Sequence, residues 1–101
     1  MRFDPKDIAE KVVLTFDFTD ALATGETLTG TFTVTVAVVS GVDATPLAII
    51  NGAAELDATS KMVLQGVQVG VSGVQYRIKV VAPTSNPKKV LAIAAVLPVI
   101  G

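Results

Sequence analysis

Residues 28–39, LTGTFTVTVAVV, place Leu28, Phe32, Val34, Val36 and Val38 on one side of an extended chain and Thr29, Thr31, Thr33 and Thr35 on the other. A helix, whose side chains repeat about every 3.6 residues, would scatter both sets around its axis, whereas a strand separates them cleanly. β-Branched threonine also suits the wet face of a sheet. Gly30 falls on the apolar side and signals a bulge or a close approach by another backbone. The same period of two recurs in VVLTFDF, with Val12, Leu14, Phe16 and Phe18 opposite Val13, Thr15 and Asp17. It returns in VQYRIKVV, with Val74, Tyr76, Ile78 and Val80 opposite Gln75, Arg77, Lys79 and Val81.

The intervening segments read as connections. TDALATGETL combines a Thr19 or Asp20 cap with Gly25, which predicts one helical turn or a compact loop that moves the chain from one sheet to the other. SGVDATP is a turn, and Asn51-Gly52 after LAII predicts a hairpin, with AAEL on its far side. KMVLQGVQV predicts a further strand despite Gly66, and APTSNPKK a loop. The final apolar run, VLAIAAVL, lacks polar alternation. It must be covered on both faces within one chain or lie against another copy.

About seven short strands with turn chemistry between them predict an all-β fold, an antiparallel immunoglobulin-like β-sandwich formed by residues 1–101 as a single domain. A partly open β-barrel is the alternative. Half the residues are apolar and 17% are charged, enough apolar surface to offset chain entropy. The opening MRFDPKDIAEK lacks the apolar run of a signal peptide, which predicts cytoplasmic synthesis. VLAIAAVLPVIG is too short for a membrane helix, so no membrane contact is expected. Residues 1–60 hold nine acids against three bases (Arg2, Lys6, Lys11), a net of −6, and residues 61–101 hold five bases and no acid. Interleaved strands would let the halves neutralise each other. Otherwise an acidic face would meet the basic face of a neighbouring copy or of another partner.

Catalytic chemistry finds little to work with. No histidine or cysteine is present, which removes the usual zinc ligands and leaves carboxylates, lysines and hydroxyls. Glu55 and Asp57 would share a strand face at roughly 6.5–7 Å, a separation compatible with glycoside hydrolysis, but no aromatic platform accompanies them. Asp17, Asp20 and Asp43 lack the spacing of a calcium loop and read as loop and capping residues. GVQVGVSGV has no P-loop ending and precedes a strand, so its glycines read as turn residues. Arg77 and Lys79 share a face without an exposed aromatic, which speaks against nucleic-acid binding. No catalytic, cofactor-binding or metal-binding residue is assigned, and no cofactor is expected.

Tyr76, inward in a late strand after a glycine-marked turn, reads either as the corner tyrosine of an immunoglobulin-like sandwich or as an ordinary core residue with its hydroxyl at the rim. Taken together, DPKDIAEKVVLTFDFTDALATGETLTG, GVDATPLAIINGAAEL and GVQVGVSGVQYRIKVV with a late LPV resemble, in order, the small phage fibre-tail adaptor proteins. Their marks here are the aromatic-Asp-aromatic strand, the acid-Leu-x-x-Gly-Glu-Thr turn and the Gly-Val-x-Tyr strand. Ala21 stands where that turn usually carries an aromatic, and the last strand is unusually rich in alanine. The resemblance implies a non-enzymatic immunoglobulin-like structural protein of a tailed phage or prophage, located in the virion. Its implied partners are other tail or fibre proteins, and the apolar strand 90–97 suggests a homo-oligomer. An immunoglobulin-like ligand- or carbohydrate-binding module is the rival reading.

Overall fold

Alternation decides which side chains leave the water, and the computed structural model, which describes residues 1–101, shows seven strands that use it to enclose a core. They are β1 (Lys6–Asp7), β2 (Val12–Asp17), β3 (Thr33–Ser40), β4 (Ile50–Leu56), β5 (Met62–Val67), β6 (Gln75–Pro83) and β7 (Val90–Ile100). Two sheets result, ordered β1-β7-β6-β3 and β2-β5-β4. Every pairing is antiparallel except β1 with β7, which run parallel. The sandwich expectation holds, and the barrel alternative fails because β3 and β4 end their sheets unpaired.

Inward residues follow the period-two reading. Leu14, Phe16 and Phe18 from one sheet meet Val74, Tyr76, Ile78 and Val80 from the other, joined by Val63, Val67, Leu97 and Val99. The short 3₁₀ turn Thr19–Ala21 carries the chain from β2 to the opposite sheet, as expected. Neither Thr19 nor Asp20 caps it. Instead the Thr19 N–H donates to Asp17 Oδ1 at 2.9 Å.

Three expectations are corrected. The threonine-rich strand begins only at Thr33, because Gly30 turns the chain with a φ of 90°, and Leu28 makes an isolated bridge to Thr84 instead. Asn51-Gly52 is not a hairpin. The chain enters β4 through a 3₁₀ turn at Pro46–Ile49, and both residues lie inside the strand where its register against β5 shifts between Asn51 and Glu55. Gly66 of β5 sits opposite that irregularity, and a Cβ there would lie 2.7 Å from the Asn51 carbonyl oxygen. The turn signal marked a close approach of two backbones. Gly66→Ala must therefore push β4 off β5, and it is expected to cost about 1–3 kcal/mol. A urea midpoint equal to that of the unsubstituted protein would show that the strands have room to spare.

The third correction concerns the last strand, which extends to Ile100 and includes Pro98. Leu91, Ile93, Ala95, Leu97 and Val99 take the core side. The amino terminus covers part of its free edge: Val96 N–H donates to the Met1 carbonyl, Phe3 N–H to that of Val96, and Ile8 N–H to that of Ile100. Residues 90–95 have no neighbour on that edge, so the cover within the chain is only partial.

Candidate interaction surfaces

The carboxylates singled out for chemistry do not assemble into a site. Asp57 is consumed by the β4–β5 turn, where Oδ1 accepts from the Lys61 and Met62 N–H groups and Oδ2 accepts from the Thr59 hydroxyl at 2.6 Å. That hydroxyl bond, followed by the backbone donors, holds its carboxyl below the usual range. Glu55 is left exposed on β4 without a hydrogen-bond partner of its own. Asp17 organises the turn after β2, and Asp20 lies on that turn. No three carboxylates converge into a group able to hold a metal ion.

The glycine-rich segment before β6 spends its N–H groups within the chain. Val71 N–H donates to the Tyr76 hydroxyl at 2.9 Å, and Gly73 N–H to the Val99 carbonyl at 2.9 Å. Tyr76 in turn donates to Asp43 Oδ2 at 2.6 Å, while Asp43 Oδ1 accepts from Thr45 N–H. The hydroxyl is therefore tied to the backbone at Val71 and to Asp43 rather than left free at the rim. The Tyr76 hydroxyl lowers the Asp43 carboxyl, and burial, reinforced by Asp43, raises the phenol. Lys6 belongs to the same end of the sandwich. It is only 2% exposed, and its Nζ donates to the Val69 and Asp7 carbonyls. Burial lowers its pKa, with the charges of Glu10 and Asp7 opposing the shift.

Lys6 and the Tyr76–Asp43 bond are the contacts that sequence reading missed. Lysine beside Asp7 in a charged opening carries no sign of burial, because its acceptor stands 63 residues away. At the far end Lys89 pairs with Glu26 at 2.8 Å and depresses that carboxyl, aided by Ala23 N–H. It is the only ion pair in the molecule.

The charges that remain are sorted by face. Strands β3, β6 and β7 contain no acid, and β6 points Arg77 and Lys79 outward. Register puts Thr35, Lys79 and Ala94 in one row and Ala37, Arg77 and Val96 in the next, where Arg2 bridges to Val96. Small side chains make this face low, with Val90 60% exposed at its margin. Strands β2, β4 and β5 contain no base. Their outer face carries Asp17 and Glu55 around Thr15, Leu64 and an exposed Val13. Apart from the Glu26–Lys89 pair, the halves of the chain thus keep their charges apart in the strands: β2 and β4 of the first half supply Asp17 and Glu55, and β6 of the second half supplies Arg77 and Lys79.

The third surface is the edge where β3 and β4 end their sheets. β3 offers eight residues, TVTVAVVS, with no charge and no proline. Beside it a shallow cleft of about 450 Å³ runs between the sheets, lined by Phe32, Val34, Ile50, Ala54 and Gln65. Gln65 is buried and donates its amide to the Gly52 and Gly66 carbonyls, which closes the floor of the cleft. No helix is long and apolar enough to cross a membrane.

One family model, described as podophage GP4 fiber-tail adaptor protein gp77, matches residues 6–93, from β1 into β7. No curated protein and no solved structure matches the chain.

Proposed function

Because the chain belongs to the podophage fiber-tail adaptor family and so has a structural role in a phage tail, we propose that it is a non-enzymatic adaptor whose free β3 edge receives an extended segment of a tail or fibre protein. The observation that carries this reading is the edge itself. On the side away from β6 the strand pairs with no other strand and carries no lysine or proline of the kind that ordinarily blunts a sheet edge, and the 3₁₀ turn Pro46–Ile49 and the irregularity between Val38 and Ser40 guard only part of it. An added strand gains main-chain hydrogen bonds, and the cleft offers room for its alternate side chains. The work is done in the virion after synthesis in the bacterial cytoplasm.

The strand order supports an immunoglobulin-like arrangement, since β2-β5-β4 and β7-β6-β3 pair as strands B-E-D and G-F-C of that fold do. A carbohydrate-binding role lacks its usual platform: no tryptophan is present and the single tyrosine is fully buried. A catalytic role lacks a second group to work with Glu55.

Co-expression with the tail and fibre proteins encoded beside the gene, followed by affinity purification, tests the reading. At least one of those proteins is expected to co-purify, and Thr33→Lys combined with Thr35→Lys is expected to release it, because lysine on an edge opposes strand addition. Capture of none of them counts against the adaptor role. Undiminished capture by the double variant moves the contact away from β3.

A further inference from the structure

The outer face of β3, β6 and β7 carries only cations and that of β2, β4 and β5 only acids, while Asp7 of β1 stands beside Ile100 at one end of the four-stranded sheet. Arg77 and Lys79 form no ion pair, nor do Asp17 and Glu55. We propose that copies of this chain associate heterologously, the four-stranded face of one seated on the three-stranded face of the next. This contact uses the broad faces and leaves the β3 edge free, so it is independent of the adaptor reading.

Charge selects the occupant. A two-fold contact would press like faces together, setting Arg77 and Lys79 against their own copies. Stacking unlike faces sets cations against acids at every junction. The spacing also agrees. Asp17 and Glu55 lie two strands apart and one row apart, a diagonal of about 12 Å given the strand spacing and rise. Arg2 and Lys79 lie two strands and one row apart as well, at about the same distance. Between the charges, Ala94 and Val96 offer a low apolar floor, and Leu64 and Val13 supply the side chains to rest on it.

Size sets the strength. A face three strands wide and six residues long measures about 14 by 20 Å, which is below the roughly 800 Å² per partner typical of stable complexes. One junction is therefore weak and sensitive to salt, and it gains when a heterologous series closes into a ring or when copies are held side by side on a larger assembly.

Sedimentation equilibrium across a concentration series tests the idea. At low salt the average mass is expected to rise above the 10.4 kDa monomer by at least twofold as concentration approaches about 1 mM, and to fall back at high salt. Arg77→Glu with Lys79→Glu makes both faces acidic, and Thr15→Lys with Glu55→Lys makes both basic. Each double variant alone is expected to stay monomeric. An equimolar mixture is expected to regain the mass of the unsubstituted protein, because every junction then alternates acid and base. Circular dichroism checks that both variants fold, and if one does not, Lys79→Gln and Glu55→Gln replace the pairs, each expected to lower the average mass. A monomer at every concentration in low salt, variants that associate undiminished, or a mixture that stays monomeric overturns the proposal.

Discussion

Tyr76→Ala is expected to cost about 3–5 kcal/mol of folding stability, because it removes a fully buried ring near the start of β6 and leaves a cavity between the sheets. Tyr76→Phe separates the ring from its hydroxyl. The ring stays packed, but Val71 N–H loses its acceptor, and because Val71 is partly exposed the loss is expected to be that of an ordinary hydrogen bond, about 0.5–1.5 kcal/mol. Acid separates the two variants further. The Asp43 carboxyl is held low by the Tyr76 hydroxyl, so the stability it contributes is complete above the ordinary carboxylate range and is lost as pH falls through the lowered value. Tyr76→Phe is accordingly expected to lose less stability than the unsubstituted protein between neutral and acidic pH. Urea unfolding of both at the two pH values measures this. Equal losses would mean that the Tyr76–Asp43 bond carries no weight in solution.

Phe16→Ala is expected to rank beside it, at about 3–5 kcal/mol. Phe16 is fully buried in β2 opposite Val63, and it meets Phe3 edge to face with ring centroids 5.3 Å apart and planes at 84°. That contact ties the amino-terminal segment to the core, so the variant should also loosen the strip that covers the end of β7. Faster hydrogen exchange at the Phe3 and Ile8 amides, which donate to Val96 and Ile100, reports that loosening. A stability loss under about 1 kcal/mol would place Phe16 outside the main packing.

The family resemblance visible in residues 4–30, 41–56 and 66–81 is the part of the functional reading that sequence carried furthest, and the family match over residues 6–93 bears it out. The candidate chemistry went the other way. Asp57 looked like half of a carboxylate pair and is a turn organiser, since its three donors come from residues 59–62 and alternation says nothing about them. Asn51-Gly52 looked like a hairpin because both residues tolerate positive φ, a property that a strand irregularity uses equally well.

What the sequence determined by itself is local: the inward sets Leu14-Phe16-Phe18 and Val74-Tyr76-Ile78-Val80 follow from a pleat that sends successive side chains to opposite faces, whatever the strands pair with. What only the tertiary structure decided depends on register between distant segments. The Lys6 acceptor at Val69, the Asp43 partner at Tyr76 and the cover of Val96 by residues 1–3 link positions that no periodicity relates. The sorting of charge is of the same kind. An acid-rich first half could have been interleaved with the basic second half in each sheet, but β3, the first-half strand beside β6, carries no charge and β1 brings Asp7 only to the far end of β7, so pairing order left Arg77 and Lys79 on one face and Asp17 and Glu55 on the other.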